Sequence, residues 1–421
     1  MEKRQITAGG LSVRQIGAVA AGNALEFYDF LTFSFFATQI GNVFFPLQSE
    51  DGRLLLALAT FGVGFLVRPL GGLLIGRMGD TRGRKPAMLL SFGLMGVSIV
   101  GLALTPSYAS IGLAAPILVV IFRLVQGFAL GGEVGPASAF LMEAAPPSRR
   151  GLYVALQFST QWLSTLVAGI IGLILSSLLT SSELTQWGWR AAFLVGALVV
   201  PFGLFVRRHL PETLPPRDET PGQAQLQWGV IIRGLFMMLA ATIATYTLQY
   251  LTTFVTHTLG MVPRIAFAAT ALCGLCGTLF TLLGGFLADR LGRKPVMITA
   301  TTLLMLTVPP GFIAMVTMKT GAAVLGAAAL MAIFLALALP AMLVSLLENL
   351  PASSRAGAVG TLYALAISVF GGTAQFAIAG LITITGSPLM PAWYMSGAVL
   401  LGLIALTGMR ETAPVKIKQF D

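Results

Sequence analysis

Long apolar runs alternate with short polar loops over nearly the whole chain. Read with a window of about 19 residues, twelve runs are long enough to cross a hydrocarbon core of roughly 30 Å as α-helices. They span 16–40, 54–78, 87–105, 111–142, 151–179, 189–207, 230–257, 264–288, 296–318, 322–347, 356–384 and 390–409. The pattern therefore predicts an all-α polytopic membrane protein with twelve transmembrane helices.

Two landmarks repeat along the chain. The loop GRMGDTRGRKP at 76–86 reappears as GFLADRLGRKP at 285–295, and EAAPPSRRG is echoed by ENLPASSRAG after the fourth run of each half. A long polar interruption at 210–228 separates the copies, so we predict two pseudo-symmetric six-helix bundles, 1–209 and 229–421, joined by a linker. Parallel repeats of this kind place a substrate site at their interface, near the middle of the bilayer.

The composition excludes a soluble domain, because 56% of the residues are hydrophobic and only 10% are charged. A net charge of +10 suggests nucleic acid. However, Lys and Arg cluster in the loops and ends on one predicted side of the membrane, which argues against that partner. The positive-inside rule assigns this side, with both termini, to the cytoplasm, and makes the lipid bilayer the surrounding partner.

The sequence offers no set of residues for catalysis or for binding a metal. Cys273 and Cys276 lie in one apolar run, and the two histidines, His209 and His257, are far apart. A membrane enzyme needs a nucleophile with a base, or a metal cluster. We therefore predict no enzymatic activity, no metal and no cofactor.

The repeated loop, G-x-x-x-D-x-x-G-R-K, resembles the signature loop of the major facilitator superfamily. Four other stretches resemble its metabolite:proton symporter branch: GNALEFYDF (22–30), GFLVRPLGGLLIG (64–76), RLVQGFALGGEVG (123–135) and WGWRAAFL (187–194). Within the branch, residues 111–135 and the short tail are most similar to bacterial citrate or tricarballylate carriers.

This resemblance implies a monomeric symporter of a bacterial cytoplasmic membrane. It would couple inward proton flow to uptake of a di- or tricarboxylate such as citrate, by alternating access of the two halves to a central site. The alternative cargoes are shikimate, α-ketoglutarate, proline or betaine. The chain departs from the branch in FGGTAQF, where Gln375 replaces a frequent proline and brings an amide that is able to contact the ligand.

In the superfamily the repeated loops clamp the two halves together on the cytoplasmic side and release during transport. The residues to which the resemblance gives this gating role are Asp80, Arg84, Lys85, Asp289, Arg293 and Lys294. Their acids can accept hydrogen bonds from helix N-termini and pair with neighbouring arginines. The alternative is that the loops only fix the topology and bind lipid phosphates.

Five ionisable residues lie well inside the predicted helices, all in the first half: Glu26, Asp29, Arg68, Arg123 and Glu133. An ionisable side chain at the bilayer centre costs roughly 2.5–3.5 kcal/mol on insertion scales, so each needs a partner or a wet cavity. Three acids against two bases leave one negative charge that a proton can neutralise.

Glu26 and Asp29 lie three residues apart, on one face of a helix, where two carboxylates repel and at least one is held more easily as the neutral acid. We favour Asp29 as the proton carrier, with Glu26 and Glu133 as alternatives. Arg68 and Arg123 are candidates for the substrate, because guanidinium forks bind carboxylates bidentately. The alternative is that each arginine only neutralises one of these acids.

Polar and aromatic residues inside the helices complete the predicted substrate site. They are Asn23, Gln157, Gln161, Tyr246, Gln249, Tyr250 and Gln375. Such side chains in hydrocarbon usually face the interior of a helix bundle, where hydrogen bonding between helices is the competing role for any one of them.

Overall fold

The structure is a computed structural model that describes residues 24, 27–82, 84–131, 145–208, 228–350 and 355–417. Nearly all of these residues are helical. Twelve long helices follow one another within the described ranges, at the places where the apolar runs predict them.

The first six helices form the amino-terminal half. They are α1 (27–35 and Ala37–Phe44), α2 (Glu50–Leu66 and Arg68–Arg82), α3 (Arg84–Leu104), α4 (Ala114–Leu130), α5 (Arg150–Leu178) and α6 (Trp189–Arg208). The start of α2 illustrates the local signals, because the Ser49 side chain accepts a hydrogen bond from the Gly52 N–H and two acids occupy the first turn. The predicted continuation of α4 towards residue 142 lies outside the described residues.

The other six helices form the carboxyl-terminal half. They are α7 (Trp228–Thr253), α8 (Pro263–Leu291), α9 (Arg293–Met318), α10 (Gly321–Asn349), α11 (Arg355–Ala366 and Gly372–Thr385) and α12 (Met390–Thr407). A π-helical turn, Ile367–Gly371, joins the two segments of α11, and a second, Phe254–Thr258, ends α7. Most of the predicted linker lies outside the described residues, so the domain boundaries stay a prediction. The one described residue at its end, Trp228, already belongs to α7.

Length and composition mark eight of the described helices as able to cross a membrane. They are α2, α5 and α7 to α12. Two shorter apolar helices, Leu89–Leu104 within α3 and Ala114–Leu130, add to these. The described helices thus have the dimensions expected of a polytopic membrane protein.

The two halves meet along the helix pairs α5–α8 and α2–α11. Gly274 of α8 lies directly against the backbone of α5 at Leu166, and Gly62 of α2 lies against the carbonyl of Gly372 of α11. Any side chain at these two glycines would collide with the neighbouring helix. Small residues of this kind let membrane helices approach closely.

The ends of the helices define two faces of the molecule. We call basic face the side that carries the connections after α2, α4, α8 and α10, which hold the repeated charged loops. We call opposite face the side that carries the connections after α1, α3, α5, α7, α9 and α11.

Candidate functional site

Arg123 of α4 is fully buried, with none of its surface exposed. Its guanidinium carbon is 4.5 Å from the ring centroid of Phe33, 4.8 Å from that of Phe30 and 5.1 Å from that of Phe61. The guanidinium also donates hydrogen bonds to the Gln126 side chain and to the Phe61 carbonyl. Aromatic faces therefore replace much of the water that this cation has lost.

Arg68 of α2 occupies the same cluster and is 8% exposed. Its guanidinium carbon lies 4.3 Å from the ring centroid of Phe65 and 4.5 Å from that of Phe30. It also interacts with the hydroxyl of Tyr246 on α7. The structure thus brings the two predicted arginines together, and places one of them against a residue from the other half.

Asp29 of α1 completes the charged centre. Its side chain is fully buried, and it interacts electrostatically with Arg123. Within the described part of the chain, neither of its carboxylate oxygens accepts a hydrogen bond. Because a buried anion without hydrogen-bond donors is costly, this carboxylate is well suited to gain and lose a proton.

Tyr246 is a residue of the carboxyl-terminal half that packs against this cluster. Its ring centroid lies 5.5 Å from that of Phe65 and 6.2 Å from that of Phe61, both in edge-to-face geometry. The ring is buried. The charged centre of the first half therefore lies against the boundary between the halves, as two parallel repeats predict.

Gln375 of α11 is fully buried and joins the two halves by hydrogen bonds. The hydroxyl of Ser34 on α1 lies 2.9 Å from its amide oxygen and 2.7 Å from its amide nitrogen. The same nitrogen donates to the Tyr246 carbonyl over 3.5 Å. The amide that the sequence marks as unusual therefore connects α1, α7 and α11.

Replacing Gln375 by Leu is expected to lower the free energy of unfolding by about 1–3 kcal/mol, because the buried Ser34 hydroxyl loses its side-chain partner. Thermal unfolding of the purified protein in detergent measures the change. Ser34→Ala with Gln375→Leu is the matched control, since replacing both partners costs less than replacing one. An unchanged midpoint in the single variant would show that the hydrogen bond contributes nothing.

The remaining predicted substrate residues lie on two helices that face the boundary between the halves. Gln157 on α5 is buried, and Gln161, one turn further along, bonds to Tyr363 of α11. On α7, Gln249 is buried and Tyr250 is fully enclosed, with its hydroxyl near Thr258. Three further candidates lie outside the described residues: Asn23, Glu26 and Glu133.

Sequence reasoning found Tyr246 but missed the phenylalanines around the arginines, and it missed Tyr363. Tyr363 hydrogen-bonds to Gln161 and interacts electrostatically with Arg68. The phenylalanines carry one signal that was available, because Phe30 and Phe33 on α1 are three residues apart and Phe61 and Phe65 on α2 are four apart. Such spacings put each pair on one helix face.

At the basic face, the second copy of the repeated loop joins the two halves. The Asp289 carboxylate of α8 accepts hydrogen bonds from the backbone N–H groups of Gly151 and Leu152, over 2.8 and 2.9 Å. These groups belong to the first turn of α5. A carboxylate at a helix N-terminus satisfies free N–H groups and is favoured by the helix dipole.

Arg293 and Glu348 extend this contact. Arg293 pairs with Asp289 at 2.5 Å and with Glu348 at 3.4 Å, while Arg150 of the first half pairs with Glu348 at 3.3 Å. The sequence predicts Arg293 in a loop, whereas the structure makes it the first residue of α9 and buries it completely. We call the residues Asp289, Arg293, Glu348, Arg150 and the α5 N-terminus the basic-face clamp.

The other loop residues take no described part in the basic-face clamp. Lys294 donates to the Thr407 carbonyl over 2.7 Å, within its own half. In the first copy of the loop, Asp80, Arg84 and Lys85 lie on described helical backbone, but their side chains are outside the described part of the structure. Their gating role stays a prediction.

Asp289→Ala is expected to release the first turn of α5. Two charge-assisted hydrogen bonds are lost and the buried Arg293 loses a partner, so amide hydrogen exchange at residues 151–155 should become faster by about ten- to a hundredfold. Mass spectrometry of the intact protein in detergent measures the exchange. Lys294→Ala is the control and should leave it unchanged. Equal protection in Asp289→Ala and the unmodified protein would contradict the clamp.

The two halves are also joined at the opposite face. His257 at the end of α7 lies 2.8 Å from the carboxylate of Asp51 at the start of α2. A cavity of about 780 Å³ opens nearby among the loops of the first half, with Arg53 and Arg190 in its walls. It lies away from Arg68 and Arg123, so it is separate from the charged centre.

Two helical halves that pack around buried, opposed charges are typical of a membrane transporter. Comparison with known proteins supports this class. The family model "Sugar (and other) transporter" matches residues 16–217. The chain is 35% identical over 421 residues to the citrate-proton symporter of Klebsiella pneumoniae, covering 98% of this chain and 95% of that protein. It is 31% identical over 401 residues to the alpha-ketoglutarate permease of Escherichia coli, covering 93% and 92%.

Among solved structures, a D-xylose-proton symporter matches with a TM-score of 0.78 at 20% identity, covering 94% of this chain and 97% of that one. The partially occluded, inward-open xylose transporter XylE from E. coli also matches with a TM-score of 0.78, at 19% identity, over 95% and 98% of the two chains. These structures share the fold, and the 35% identity to a citrate-proton symporter over 98% of the chain shows the family, so this protein belongs to the major facilitator superfamily. The predictions of a twelve-helix fold and of a transporter are confirmed.

Proposed function

We propose that this protein is a proton-coupled symporter that carries an organic anion into the cell, with a di- or tricarboxylate such as citrate as its cargo. The observation that carries the proposal is the buried centre in which two arginines lie beside one carboxylate at the boundary between the halves. The citrate-proton symporters among its relatives support the same cargo.

The charge balance of the centre favours an anion with more than one carboxylate. Among the described residues, Asp29 is the one acid beside Arg123, and Arg68 lies next to Arg123, so these charges leave an excess of positive charge that grows when Asp29 is protonated. A ligand with two carboxylates neutralises both guanidiniums through charge-assisted, bidentate hydrogen bonds. A proton on Asp29 removes a negative charge from the centre and so favours binding of the anion, and a bound anion in turn favours protonation of Asp29. This mutual dependence is the basis of symport.

The contacts between the halves supply the conformational part of the cycle. We propose that the basic face is cytoplasmic, with both termini on that side of a bacterial inner membrane, and that a single chain suffices for transport. The basic-face clamp then closes the cytoplasmic entrance, and its opening, with closure of the opposite face, exposes the site alternately to the two sides.

A different metabolite is the competing proposal. The proline/betaine transporter of Salmonella typhimurium is 30% identical to this chain, and the alpha-ketoglutarate permease of Escherichia coli is 31% identical. Shikimate belongs to the same set of candidates. A ligand with one carboxylate would occupy one guanidinium and leave the other with its internal partners.

Uptake of labelled citrate into right-side-out membrane vesicles tests the proposal. We expect accumulation when the vesicles have an inward proton gradient, and its collapse when an ionophore removes the gradient. Excess tricarballylate, α-ketoglutarate, proline, betaine and shikimate in parallel reactions identify any better competitor. Stronger competition by proline or betaine than by tricarballylate would replace the carboxylate cargo, and uptake that ignores the gradient would remove proton coupling.

A further inference from the structure

We propose that Phe30 determines the selectivity for anions with two or more carboxylates, because its ring orients both arginines at once. The inference rests on the proposed function, in which Arg68 and Arg123 bind the carboxylates of the cargo. It adds a role for an apolar residue that carries no charge and no hydrogen-bonding group.

The geometry sets Phe30 apart from the other rings of the cluster. The guanidinium carbons of Arg68 and Arg123 lie 4.5 and 4.8 Å from its centroid, so the two cations are held within about 9 Å of each other. The ring itself is fixed, because it is 1% exposed and packs against Phe61 at 4.8 Å and Phe65 at 4.9 Å. It comes from α1, whereas the two arginines come from α2 and α4.

Two like charges this close repel each other in an apolar interior, and each has lost most of its water. A ring face attracts a cation through its quadrupole, and this attraction is strongest where water is excluded. A guanidinium that lies over a ring keeps its N–H groups, which point outward in its own plane, available for a carboxylate. The ring of Phe30 therefore steadies both guanidiniums and takes up none of their N–H donors, of which Arg123 gives one to Gln126 and one to the Phe61 carbonyl.

Selectivity follows from the number of forks that a ligand uses. A ligand with two carboxylates gains from the orientation of both guanidiniums, whereas a ligand with one carboxylate gains from only one. Specificity is the difference between two affinities, so removing the shared ring should weaken the first ligand more than the second.

Phe33 provides a matched comparison on the same helix. Its ring is also buried, but within the described structure it lies over Arg123 and not over Arg68. Replacing Phe33 by Leu should disturb one fork and weaken both classes of ligand alike.

Glutarate and pentanoate, which have equal chain lengths and two or one carboxylates, are the probes. Their inhibition constants are measured against labelled citrate uptake in the unmodified protein, Phe30→Leu, Phe33→Leu and Phe30→Tyr. For Phe30→Leu we expect the glutarate constant to rise about tenfold, corresponding to about 1.4 kcal/mol, with a clearly smaller change for pentanoate. Phe33→Leu should keep the ratio of the two constants, and Phe30→Tyr, which retains the ring, should restore it.

The inference is overturned if the inhibition constant of glutarate is unchanged in Phe30→Leu. It is also overturned if Phe33→Leu raises that constant as much as Phe30→Leu does. This comparison decides even where pentanoate does not compete, since the glutarate constants of the two variants are sufficient. Phe30→Met replaces Phe30→Leu if the latter does not reach the membrane. Failure of the proposed function looks different, because the unmodified protein would then show no gradient-driven citrate uptake at all.

Discussion

Asp29→Asn is expected to abolish accumulation of the substrate against its gradient while leaving exchange of substrate across the membrane intact. Asn has nearly the same shape as Asp but neither binds nor releases a proton in the relevant range. It resembles the neutral, protonated acid beside Arg123, so the site still binds its anion. The cycle loses the step in which the proton departs, which couples uptake to the proton gradient.

Two assays on the same vesicles separate these outcomes. One measures citrate uptake driven by a proton gradient, and the other measures exchange of labelled for unlabelled citrate without any gradient. Glu50→Gln is the matched control, because Glu50 is an exposed acid of the same half and should leave both rates unchanged. Unchanged concentrative uptake in Asp29→Asn would remove Asp29 from the coupling role and return attention to Glu26 and Glu133.

Arg123→Gln is expected to weaken citrate binding by on the order of a hundredfold. Truncating one partner of a buried, hydrogen-bonded charge pair costs about 2–5 kcal/mol, and the ligand carboxylate loses its bidentate donor. Arg123→Lys keeps the charge but loses the planar guanidinium, so its affinity for citrate should lie between those of the unmodified protein and Arg123→Gln.

Binding is measured on the purified protein by titration calorimetry, which is independent of the proton gradient. Arg53→Gln is the control, because Arg53 lines the separate cavity at the opposite face and should bind citrate normally. Thermal unfolding of each variant identifies loss of folded protein. If Arg123→Gln binds citrate with full affinity, Arg123 is an internal partner of Asp29 and takes no part in recognition.

The fold was accessible from the sequence because hydrophobicity along the chain is a local property. A membrane-spanning helix satisfies its own backbone hydrogen bonds, so an apolar run of sufficient length is a helix whatever its neighbours are. The repeated loops are likewise visible in the local sequence, and their repetition indicated that the chain has two similar halves. The division of α2 at Val67 lies two residues before Pro69, which lacks the N–H that a continuous helix would use. The apolar pattern does not predict the π-helical turn Ile367–Gly371, which contains no proline.

The charged residues of the site were predictable because an ionisable group is conspicuous among apolar ones. Asp29, Arg68 and Arg123 do lie together, as their cost in lipid predicts. The residues around them were not predictable in this way. Phe30 is one apolar residue among many, and only the folded chain shows that two guanidiniums lie over its ring.

Long-range partners are the second class of feature that the sequence concealed. Gln375 was recognisable as an amide in an apolar run, but its partner Ser34 is in the other half of the chain. Likewise, Asp289 was predicted to meet a helix N-terminus, yet only the folded chain identifies that helix as α5.

Citrate-dependent proton entry into proteoliposomes tests the central claim most directly. Citrate is added outside vesicles that contain a pH-sensitive dye, at equal pH on both sides. The account predicts that the interior acidifies with the unmodified protein, and that it does not with Asp29→Asn, which still exchanges citrate. Citrate entry without acidification of the interior would contradict proton symport through this buried charged centre.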